Sequence, residues 1–121
     1  MKANETLNKF GKFLVENLRD SGINFLEGLL SSHWKSKESI ILQTDLQSFT
    51  DKQKNIVRQV VVRVIDRAIH DFLFAVSEQV DFDNDIQIKV DKKNIVDISD
   101  GLAGEIYGED GWFTKFSKYE K

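Results

Sequence analysis

Residues 50–79 read TDKQKNIVRQVVVRVIDRAIHDFLFAVSEQ, and this stretch decides the fold. Thr50, with Gln53 three places on, makes a capping box, and Asp51 adds negative charge at the positive end of the helix it opens. Neither Gly nor Pro interrupts the run as far as Gln79. Ile56, Val57, Val60, Val61, Val64, Ala68, Phe72, Ala75 and Val76 track one face, and Val62, Ile65, Ile69 and Leu73 widen it. A helix apolar over so much of its circumference is expected at the centre of a domain, packed on two sides. Its valines have poor helix propensity, so tertiary burial must hold it.

Before this helix, residues 5–20 predict an amphipathic helix. Leu7, Phe10, Leu14 and Leu18 recur at helical spacing, and Phe13 and Val15 widen the stripe. Gly22 fits the left-handed position after such a helix, with Ile23 meeting Leu18 as in a Schellman ending. Asn24 and Glu27 then reopen a helix whose apolar face is Phe25, Leu26, Leu29, Leu30 and Trp34. One uninterrupted helix over 5–34 competes, since a mid-helix Gly22 costs only about 1 kcal/mol. Residues 35–39 are polar and read as loop. Ile40, Ile41 and Leu42 fit a short buried strand, although a run this short also fits helix.

After the long helix the period changes. Ile86, Ile88 and Val90 alternate with Gln87 and Lys89, the pattern of a half-buried strand. Residues 91–94, DKKN, read as a turn with Asn94 left-handed, and 95–98 as the returning strand. Two strands are marginal in water, so 39–43 or 105–107 is expected as a third, or a helix must cover them. Gly101, Gly104, Gly108 and Gly111 mark 99–111 as irregular loop. Trp112, Phe113, Phe116 and Tyr119 predict a short helix starting near Asp110. The expected fold class is α+β: one domain, residues 1–121, with N-terminal helices and a long central helix packed on a small antiparallel sheet.

Composition narrows the chemistry. The chain has 121 residues, no cysteine, no proline and two histidines, His33 and His70. That removes disulfides, thiol catalysis and cysteine-ligated metal sites. No apolar run reaches the ~18 residues of a membrane span, and the N-terminus turns polar at once, so a soluble cytoplasmic protein is expected. Charge is unevenly placed. Residues 81–110 hold nine carboxylates against three lysines, a local charge of −6, while the other ninety-one residues sum to +3. Such a stretch repels phosphate backbones and favours a basic protein partner, so nucleic acid is not expected.

Three constellations bear on chemistry. Asp81, Asp83 and Asp85 imitate the start of a calcium loop. Position six is Ile86 where Gly is needed, and position twelve is Lys92 where a carboxylate must close the cage. An acidic cap on a hairpin is the simpler reading, and neither metal nor cofactor is expected. His70 stands one turn from Asp66 and next to Asp71, an arrangement that could serve a general base. Helical ion pairs with Arg63 and Arg67 explain the same residues. The glycine-rich loop combines Asp97, Asp100, Glu105, Glu109 and Asp110 with Tyr107 and Trp112. Carboxylates around aromatic anchors suit a basic protein surface, and simple packing of the aromatics competes.

His70-Asp-Phe-Leu-Phe74, Asp100-Gly-Leu-x-Gly-Glu105 and Gly108-Glu-x-Gly-Trp112-x-x-Lys-Phe-Ser117 together resemble small bacterial proteins of uncharacterised function, some of them similar to toxin-neutralising immunity proteins. The resemblance covers the second half of the chain. It implies a binding role and carries no catalytic residue with it. The expected function is a non-enzymatic binding module acting through the acidic loop. A small hydrolase or lyase using His70 with Asp66 or Asp71, and a self-associating subunit, are the other classes.

Overall fold

The structure, a computed structural model, describes residues 2–79 and 85–119. Helix α1 (Lys2–Leu14), a π-helical turn (Val15–Arg19) and α2 (Asp20–Leu30) follow one another without a break. Gly22 therefore ends no helix. The π turn adds one residue to a helical turn, which rotates everything after it by about 100°. The buried positions change phase accordingly: Leu7, Phe10 and Leu14 before it, then Val15, Arg19, Ile23, Leu26 and Leu30. Leu18 and Phe13, expected in the apolar stripe, are 46% and 65% exposed.

A Schellman ending does occur, ten residues later than expected. Ser32 takes φ 59°. The His33 N–H donates to the Gly28 carbonyl at 2.8 Å, and the Ser32 N–H to that of Leu29 at 3.4 Å. Trp34 folds back over Gly28, where a β-carbon would overlap the indole. Its Nε1–H donates to the Phe25 carbonyl at 2.9 Å.

Residues 39–43 form no strand; they lie in α3 (Lys37–Leu46), capped by Ser36. This helix is inverted. Ser39 and Gln43 are its buried residues, while Ile40, Ile41 and Leu42 are exposed. Gln43 sets that orientation: its Oε1 accepts from the Trp34 N–H at 2.9 Å and its Nε2 donates to the Trp34 carbonyl at 3.0 Å. A buried amide satisfied on both sides holds the polar face inward.

Helix α4 (Asp51–Glu78) opens at Thr50 as the sequence predicts. The Gln53 N–H donates to Thr50 Oγ1 at 3.1 Å, and the Thr50 N–H to Gln53 Oε1 at 2.8 Å. The expectation of a helix packed on two sides is corrected. Its buried residues are Ile69, Leu73 and Val76, all in the C-terminal half. Ile56, Val60, Val64 and Phe72 are exposed.

The sheet is smaller than expected. β1 (Lys89–Val90) pairs antiparallel with β2 (Lys93–Asn94), Lys89 opposite Asn94. Asp91 and Lys92 carry the positive φ values, 51° and 68°, as a two-residue type I′ hairpin turn requires. Asn94 is therefore a strand residue, and its Oδ1 accepts from the Val96 N–H at 3.2 Å. Residues 95–98 are turns that bury Ile95 completely, not a returning strand. A 3-10 turn (Leu102–Ile106) takes up most of the other segment expected as a third strand, and α5 (Trp112–Phe116) follows. The core joins Phe10 and Leu14 of α1, Ile69, Leu73 and Val76 of α4, and Ile95, Leu102, Ile106, Trp112 and Phe113. Trp112 lies edge-on to Phe10 at 5.8 Å and against Gly11, where a β-carbon would overlap it. The fold is a helix-dominated α+β arrangement. Among the described residues no helix is long and apolar enough to cross a membrane.

Candidate functional site

From Asn94 to Thr114 the sequence holds five carboxylates and neither lysine nor arginine. Asp97, Asp100, Glu109 and Asp110 are exposed. Glu105 is half-buried and committed: Ser99 Oγ donates to its Oε2 at 2.6 Å and accepts from the Gly101 N–H at 3.1 Å. Gly108 turns the chain with φ 87°, and Thr114 Oγ1 donates to its carbonyl at 2.8 Å. Leu102 and Ile106 pin the segment to the core.

The two aromatic residues expected to grip a partner have different fates. Tyr107 is 47% exposed. Trp112 is 1% exposed, so it is a core residue and touches no partner. The reason is the gap at Gly11, which admits the whole indole against α1. Tyr107 borders a shallow groove of about 640 Å³ along α4, lined also by Arg63, Val64, Asp66, Arg67, Ala68 and Asp71.

His70 sits beside this groove with its ring 6.1 Å from that of Tyr107 and 6.4 Å from that of Phe74. Its carboxylate partner is Asp71, with Nδ1 at 3.1 Å from Oδ1, and not Asp66. Arg67 Nε also donates to Asp71 at 2.9 Å. The hydrogen bonds from His70 and then Arg67 hold the Asp71 carboxyl below its ordinary range.

Asp66 belongs to a different cluster, one without a signal in the sequence. Arg19 is completely buried, and its Nε and Nη2 donate to the two oxygens of Asp66 at 2.7 and 3.3 Å. Its Nη1 donates to Ser117 Oγ at 2.7 Å and to the Tyr119 carbonyl at 3.1 Å. Ser117 Oγ donates to Asp20 Oδ1 at 2.6 Å, and the Lys118 N–H to Asp20 Oδ2 at 3.0 Å. The guanidinium also lies 4.7 Å above the Phe113 ring. These contacts latch the C-terminal segment to the π turn. An arginine next to an aspartate on a helix reads as solvated surface, and only the phase change of the π turn brings Arg19 inside.

Asp81 and Asp83 of the calcium-like motif lie outside the described residues. Among the described residues no three His, Asp or Glu side chains group to hold a metal ion. No family model, curated protein or solved structure matches the chain.

Proposed function

We propose that the chain is a non-enzymatic protein-binding module that meets a basic protein partner through residues 97–110. The observation that carries this reading is Tyr107, an exposed aromatic ring on a groove rim within a segment bearing only negative charge. Tyrosine is among the residues that concentrate binding energy at interfaces. Carboxylates around it steer a cationic partner and set its orientation. The motifs of the second half supply the immunity-like version, in which the partner is a toxin and the encounter is cytoplasmic. The hydrolase reading keeps only His70 and Asp71, because both oxygens of Asp66 are bound by Arg19.

The test uses a partner isolated by affinity capture and mass spectrometry. The triple variant Glu105→Lys/Glu109→Lys/Asp110→Lys is expected to slow association roughly tenfold at low salt and to flatten its salt dependence. Tyr107→Ala is expected to speed dissociation. Unchanged kinetics in both variants, with wild-type circular dichroism, would remove this loop from the interaction.

A further inference from the structure

The outer face of α4 carries a second surface, which shares Val64 and Ala68 with the groove that Tyr107 borders. Val61, Val64, Ala68, Phe72 and Ala75 follow one another at intervals of three, four, four and three residues. That spacing is one stripe of a straight α-helix, and it is symmetric about Ala68. Val64 is 61% exposed and Phe72 49%; Ala68 and Ala75 are exposed and Val61 half-buried. The chain's own core lies against Ile69, Leu73 and Val76, on another face. A fold that buries one face of a helix and leaves an apolar stripe on another has not finished its packing.

We infer that this stripe is the seam of a homodimer, with α4 of a second copy laid antiparallel across it and the two-fold axis passing at Ala68. The symmetry of the stripe selects this occupant. In that arrangement Val64 meets Phe72 of the second copy, Val61 meets its Ala75, and Ala68 meets Ala68. Larger residues face smaller or flatter ones, and the smallest side chain sits where the helices approach most closely. The flanking charges agree. Arg67 and Asp71 lie along one edge of the stripe, and the antiparallel copy brings Asp71 and Arg67 opposite them.

The absence of cysteine makes the test direct. Sedimentation equilibrium on the full chain, from micromolar to submillimolar, is expected to give twice the 14.0 kDa chain mass. Val64→Asp and Phe72→Glu are expected to halve that mass while keeping wild-type circular dichroism, since neither position is in the core. Ala68→Cys is expected to form an interchain disulfide under mild oxidation, because a residue on the axis meets its own copy within disulfide reach. Gln59→Cys, nine residues away and on the opposite side of the helix, is expected to form none. A wild-type chain that stays monomeric overturns the inference. So does a dimer that persists in both variants, or one in which Ala68→Cys does not cross-link. Failure of the dimer leaves the acidic-loop reading standing, because that reading is tested by the association kinetics of residues 97–110; a dimer would cover the Val64 and Ala68 wall of the groove that Tyr107 borders.

Discussion

The two halves of α4 are both rich in apolar residues and have different surroundings. From Ile65 onward the helix lies against α1, the 3-10 turn and the loop after the hairpin, and Ile69, Leu73 and Val76 are sealed in the core. Before Ile65 it lies against α2, tied by Arg58 Nε to Glu27 at 2.7 Å, and Ile56 and Val60 face outward. Apolar sequence therefore predicts that a residue will be covered, and not by which molecule. The face through Ile69, Leu73 and Val76 is covered by its own chain. The stripe through Ala68 is the part that another copy completes in the inferred dimer.

The largest test of this contrast pairs two substitutions. Leu73→Asp places an unpaired charge in the core and is expected to abolish the cooperative melt. Val64→Asp, nine residues earlier, is expected to keep helix content and lose only the concentration dependence of Tm. Equal damage from both would erase the distinction between the halves. Arg19→Ala comes next. It strands Asp66 and unties Ser117 and Tyr119, and a broken buried ion pair costs about 3–5 kcal/mol. Urea unfolding measures it, and Arg19→Lys is expected to recover little, because it cannot reproduce the fork to both Asp66 oxygens.

Gly11→Ala addresses the packed half. A methyl group there overlaps the Trp112 indole, and overpacking of this kind costs about 1–3 kcal/mol. A red-shifted tryptophan emission with lowered Tm is the expected readout. Thr50→Ala addresses the loose half. Loss of the cap costs about 1 kcal/mol, and it is expected as faster amide exchange over 51–60 with little change over 66–78. Uniform acceleration would mean that α4 opens as one unit. The smallest effect is electrostatic. Lys9 donates to Asp91 at 2.8 Å across the exposed junction of α1 with the hairpin, and this holds the Asp91 carboxyl below its ordinary 3.8. A lowered folded value stabilises at neutral pH, and the contribution fades as pH falls through that value. Lys9→Met is expected to remove this part of the acid dependence in a pH-resolved melt.

Local rules were enough for some of this molecule. The capping box at Thr50, the uninterrupted run to Glu78 and the hairpin with its turn near 91–94 are legible because each depends on neighbours a few residues apart. The same holds for Tyr107 and the carboxylates of 97–110 as a charged, aromatic segment. What local rules could not reach is anything set by a partner distant in sequence. The π turn at Val15–Arg19 turns Leu18 out and Arg19 in, and Arg19 is stabilised there by Asp66, Ser117 and Phe113. Ile40–Leu42 carry no period long enough to separate strand from helix, and Gln43 decided the matter by pairing with the Trp34 backbone. Trp112 looks like an interface anchor until Gly11, a hundred residues earlier, supplies the gap that buries it. Periodicity and caps are properties of a segment, whereas burial belongs to pairs of segments, and only the folded chain brings those pairs together.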